Sequence, residues 1–146
     1  MIRRLAWFLA LAGAVPVVLA TAALYASDVS GIRVPAIAAL VTYCAVILSF
    51  LAGIEWGLAI RDESGTEATR AIALGLSSVS TLAAWGVLWL PSPTWQVGAS
   101  LALFVGVWGA DEWMAGRGLL PTWFVNVRTA VSALVATVLV AALFRL

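Results

Sequence analysis

Three ionisable side chains, Glu55, Asp111 and Arg128, lie inside stretches that are otherwise apolar, and they are where this sequence could do chemistry. A charged side chain near the centre of a membrane-crossing helix costs about 2.5–3.5 kcal/mol on insertion scales, so such groups persist where they have a partner or a task. Two carboxylates and one guanidinium could form an ion pair that fixes helix register, hold a polar ligand, or carry a proton. The plainest alternative is that each reaches water or headgroups from near a helix end, as long side chains do. Convergence of the three around an enclosed space would favour binding. The chain has no histidine and a single cysteine, Cys44. Bis-histidine haem ligation, histidine-based metal sites and Ser-His-Asp or Cys-His nucleophile systems therefore each lack an essential part. Gly75-Leu76-Ser77-Ser78 suggests a serine nucleophile but has no histidine base to serve it. No metal, cofactor or catalytic residue is assigned, and the chain is expected not to be an enzyme.

The elements that must position these residues follow from composition. Of 146 residues, 64% are hydrophobic and 10% charged, whereas a soluble domain carries roughly a quarter charged residues. The chain reads as an all-α polytopic membrane protein, one helical domain over 1–146. About 20 apolar residues cross the roughly 30 Å hydrocarbon layer. Five spans are expected, at about 5–25, 34–60, 71–90, 97–113 and 121–144; the fourth is short unless it includes Asp111 and Glu112. Ser27 to Gly31 reads as a polar turn and Pro91-Ser92-Pro93 as the end of the third helix. Ser64 with Glu67 fits a capping box, and Pro121 suits a first helical position after a loosening Gly116 and Gly118. Asp62, Glu63, Glu67 and Glu112 read as solvated loop charges.

Arginine placement sets the expected orientation, because basic residues near span ends stay on the cytoplasmic side. With the N-terminus inside, Arg3, Arg4, Arg61, Arg70, Arg117 and Arg128 are cytoplasmic, Arg33 and Arg145 lie outside, and the C-terminus is periplasmic. Arg3-Arg4, the apolar run and Val18-Leu19-Ala20 also have the outline of a secretory signal; a retained first span is the expectation. Alanine, valine, leucine and arginine without lysine suggest a GC-rich bacterial source, and so a bacterial inner membrane. The net charge of +1, with no basic stripe, argues against nucleic acid.

On this frame Glu55 lies roughly 9 Å before the end of the second helix, Asp111 roughly 21 Å into the fourth and Arg128 roughly 10 Å into the fifth, all at a similar depth. Asn126 and the Trp56, Trp108 and Trp123 rings are close in sequence and complete the set of ligand-binding or ion-pair candidates. Gly53 and Gly57, four apart around Glu55, are candidates for close helix packing. The eight tryptophans mainly suit membrane interfaces, and Cys44 suits inert packing.

Tyr43, Ile47-Leu48-Ser49-Phe50-Leu51, Gly53, Trp56-Gly57, Leu90-Pro91, Asp111, Pro121-Thr122-Trp123-Phe124 and Arg128 together resemble domain-of-unknown-function family 3429, small bacterial membrane proteins with a mitochondrial transmembrane relative. The resemblance covers the second to fifth helices. It implies a membrane location and a multi-helix fold, and no established activity.

The expected role is a non-enzymatic accessory or assembly protein packed against a larger membrane complex, its partners the lipid bilayer and other membrane subunits, with a homo-oligomer also open to it. The alternatives are a binder or carrier of a small hydrophobic molecule, a lipid or quinone, at the polar cluster, and a proton-linked transporter using Glu55.

Overall fold

The computed structural model describes residues 1–26, 31–61 and 65–146. Within them the chain forms five helices, α1 (Ile2–Tyr25), α2 (Arg33–Arg61), α3 (Glu67–Val87), α4 (Pro93–Ala115) and α5 (Thr122–Leu143), and no strand. α1, α2, α3 and α5 are long and apolar enough to cross a membrane. α4 has the length, at 23 residues, but Gln96, Asp111 and Glu112 lower its hydropathy.

Local chemistry moves several helix ends from their expected places. α3 begins at Glu67 because Thr66 caps it, its side chain accepting from the Thr69 amide at 3.2 Å. Ser64 of the expected capping box lies outside the described residues, as do residues 27–30 of the expected turn. α3 ends at Val87 rather than 90: the amides of Leu88, Trp89 and Leu90 bond to carbonyls three residues back, a tightened turn that delivers the chain to Pro91. Ser92 caps α4 and Pro93 takes its first turn, so α4 starts four residues earlier than expected and runs through Asp111 and Glu112. Glu112 is thus an exposed helical residue and not a loop charge. Pro121 sits outside α5, as its N-cap.

Gly118 does more than loosen the loop. Its φ is +76°, and its amide bonds to Ala115 while the Leu119 amide reaches Met114. That is a Schellman termination, which needs a left-handed residue. It turns Leu119 and Leu120 inward, where both are buried with Met114 and Val125.

Helices consecutive in sequence pack against each other, α5 returns to α1, and α2 also meets α4. α2, α3 and α4 form a tight triangle. α1, α2, α4 and α5 form an open quadrilateral, since among the described residues neither α1 and α4 nor α2 and α5 approach closely. Tyr25 donates to the Ala141 carbonyl at 2.8 Å and Arg33 to that of Arg145 at 2.8 Å, which gathers the ends of α1 and α5 and the start of α2 at one face. Tyr43 ties α2 to the Gly13 carbonyl of α1 at 2.8 Å.

The outer surface is apolar along its length, with Phe8, Leu19, Phe50, Ile72, Val79 and Val105 all exposed. Such a surface suits lipid and exceeds the apolar patches tolerated in water. Trp85, Trp89 and Trp95 are exposed near one end, and Trp7 and Trp56 near the other, as interfacial anchors would be.

Arg70 has a structural task besides any role in orientation. Its Nε donates to the Ala59 carbonyl at 2.8 Å and its Nη2 to Ile60 at 2.9 Å, closing the C-terminus of α2 with a cation. Arg70→Ala is expected to lower stability in detergent by about 1.5–3 kcal/mol, as for hydrogen bonds to charged groups, measured by reversible denaturant unfolding. An unchanged midpoint would show that water replaces both bonds.

Candidate functional site

Each helix turns a stripe of residues three and four apart toward its neighbours, and the three ionisable side chains occupy places in those stripes. On α4 the buried residues are Val97, Ser100, Phe104, Val107, Asp111 and Met114. On α2 Leu48, Ala52, Glu55 and Ala59 repeat the spacing, and on α5 Arg128, Val135, Leu139 and Ala142 do. Helical periodicity therefore forces the charges inward. Glu55 and Asp111 are each 1% exposed and Arg128 7%. All three are buried among the helices, whereas a snorkelling side chain extends to the surface.

Arg128 and Asp111 converge. Nε of Arg128 donates to Oδ2 of Asp111 at 2.6 Å, and Nη2 lies 2.6 Å from the same oxygen. The pair joins α5 to α4 with a charge-assisted bond of the strong kind. Glu55 lies within electrostatic reach of both, yet neither of its oxygens has a hydrogen-bond partner. The cluster is thus an ion pair held by the Arg128 Nε bond, with Nη2 in charge contact only, beside an unpartnered carboxyl group, rather than a guanidinium shared between two acids.

The other candidates divide. Trp108 donates to Thr129 Oγ1 at 3.0 Å, and that hydroxyl donates to Glu112 at 3.2 Å, a second α4–α5 link one residue along from the ion pair. Trp123 stands at the start of α5, edge-on to Phe124 with centroids 5.9 Å apart. Asn126 is exposed, and Trp56 faces outward at 44% exposure, so neither belongs to the cluster. Gly53 and Gly57 also face outward, and a Cβ built on either meets no atom within 4 Å. Among the described residues no helix packs on that face; the stripe that does pack is Ala52, Glu55 and Ala59. Cys44 is buried in the core, as expected.

A cavity of about 270 Å³ that the sequence does not announce lies in the open quadrilateral, walled by α1, α2, α4 and α5. Its cause is visible in α1: Ala6, Ala10, Gly13 and Ala14 share one face and all line the space, so side chains that would fill it are absent. Phe50 and Phe104 supply aromatic walls, and Arg128 is the charged residue in the lining. Leu9 and Phe50 line it and are also exposed, so the cleft opens toward the surrounding lipid. The signal was the small-residue spacing in α1, but its meaning depends on which helices fail to touch.

Two substitution series follow from this geometry. Arg128→Leu or Asp111→Leu alone strands the other charge and is expected to cost about 3–5 kcal/mol, while the double replacement recovers most of the loss. Unfolding midpoints of the singles and the double give the coupling; additive losses would mean that the pair is not mutually dependent. Because Glu55 has no partner to lose, Glu55→Gln is expected to leave stability unchanged or higher, and a loss matching that of Asp111→Leu would reveal a hidden partner.

The family described as protein of unknown function (DUF3429) matches residues 2–144, extending the likeness into α1. No curated protein and no solved structure matches the chain. On a match over nearly its whole length, the chain belongs to the DUF3429 family of proteins of unknown function.

Proposed function

We propose that this integral membrane protein binds or carries a small hydrophobic molecule in the cleft between α1, α2, α4 and α5. One observation carries the reading: an apolar cavity that opens to lipid holds in its wall a buried arginine already neutralised by Asp111. Ligand sites combine apolar walls with a few placed polar groups. At about 270 Å³ the space is just under the usual lower limit of roughly 300 Å³, so it suits a chain or ring of an amphiphile rather than a whole molecule. The ion pair keeps α4 and α5 together where the helices around the cleft leave a gap. In this reading α4 completes five spans, the N-terminus is cytoplasmic and the C-terminus periplasmic in a bacterial inner membrane, and the protein performs no covalent chemistry.

A second reading, lateral packing against a larger membrane complex, is favoured by a separate observation. Gly53 and Gly57 form an outward face beside exposed Trp56 and Phe50, and a Cβ on either glycine meets no described atom within 4 Å. Glycine-bearing faces of this kind allow close helix approach. A proton-linked transporter using Glu55 has the unpartnered carboxyl group in its favour.

Filling the cleft tests the first reading. Gly13 lines it, and a Cβ there meets open space. A long-chain lipid that stabilises the delipidated protein is expected to raise its unfolding free energy, by about 2.7 kcal/mol at a hundred times Kd. Gly13→Phe is expected to abolish that increment while the lipid-free protein keeps its stability. Equal stabilisation of Gly13→Phe and the parent would place binding elsewhere.

A further inference from the structure

The cleft follows α1 from Ala6 to Val17, a rise of roughly 16 Å along the helix. That is about half of the roughly 30 Å hydrocarbon layer, the depth one leaflet's acyl chain occupies. A helix from another protein, at least about 10 Å across, is too thick for 270 Å³. A flexible chain is not.

The same face of α1 continues one turn beyond the cleft to Arg3, which precedes Ala6 by three residues and Ala10 by seven. Arg3 is exposed, and its guanidinium carbon lies 5.8 Å from the centroid of the Trp123 ring. Trp123 in turn meets Phe124, which lines the cleft. Among the described residues no carboxylate pairs with Arg3, whereas Arg128, deeper in, spends its charge on Asp111. Among the described residues, a cation without an acidic partner therefore stands at the headgroup end of an acyl-sized cleft, and a neutralised one stands inside it.

We propose that the occupant is a lipid whose headgroup carries a net negative charge, with an acyl chain in the cleft and the headgroup phosphate on Arg3. The proposal rests on the cleft reading above and adds the ligand's class. Trp123 holds the Arg3 side chain against the start of α5 by a cation–π contact, so the charge is placed beside the Phe124 end of the cleft and not merely somewhere on the membrane surface.

The test uses the full chain, delipidated in a mild non-ionic detergent and titrated with phosphatidylglycerol or phosphatidylcholine carrying identical acyl chains, with bound lipid counted by native mass spectrometry. Phosphatidylglycerol is expected to bind more tightly, and Arg3→Gln to weaken it about fivefold, the effect of one basic residue at an anionic surface. Arg61→Gln, at the exposed end of α2, is expected to leave affinity unchanged. Gly13→Phe is expected to remove both lipids. Equal affinity for the two lipids, both lost in Gly13→Phe, overturns the headgroup assignment while the cleft stands. Equal weakening by Arg3→Gln and Arg61→Gln overturns it as well, reducing it to diffuse attraction. Binding that ignores Gly13→Phe overturns the cleft itself and the inference with it. Helical circular dichroism and monodisperse elution establish that each variant is folded.

Discussion

A charge inside an apolar bundle must be answered within the bundle, and the bond from Arg128 to Asp111 is how α5 and α4 meet that requirement. Both residues stand in the inward stripes of their helices, so neither can turn outward without taking its apolar neighbours along. The pair consequently fixes the rotation of two helices about their axes, which uniform hydrophobicity leaves loose. In lipid, where an apolar face gains little by turning inward, packing and polar contacts decide which sides meet. The bond from Trp108 to Thr129 and that from Thr129 to Glu112 reinforce the same alignment.

The rest of the architecture is divided by what α1 offers. α2, α3 and α4 close on one another, with Ser77 of α3 bonded to the Ala52 carbonyl of α2. On the other side, the alanine and glycine face of α1 leaves the quadrilateral unfilled. A void among apolar residues costs packing energy, and a membrane supplies chains of the right width to occupy it. The buried pair and the cleft are thus linked: one holds α4 to α5 so that the other keeps its shape.

Much of the fold was legible because length and apolarity count helices without reference to their neighbours. All five appear where expected, with shifts of up to four residues at ends where Thr66, Ser92 and Gly118 supply capping that an apolar window does not register. The common depth of Asp111 and Arg128 was readable from the rise per residue, and the two do meet. Glu55 shares that depth and also turns inward, yet has no bond to either, because a common depth does not fix the distance between helices. Azimuth separates Gly53 and Gly57 from the packed face by a single residue, and it hides the cleft until it is known that α2 and α5 do not touch. In a soluble helix the polar face marks the outside; these helices are apolar all round, so that marker is missing.

Arg128 and Asp111 bond to each other inside the helix bundle, where both are buried. Solid-state magnetic resonance of the protein in lipid bilayers, with labels on the Arg128 guanidinium nitrogens and the Asp111 carboxyl carbon, tests that bond directly. A strong nitrogen–carbon dipolar coupling at hydrogen-bonding range is expected, with no exchange cross-peak from either group to water. A coupling too weak for contact, together with rapid transfer from water to the guanidinium, would contradict it.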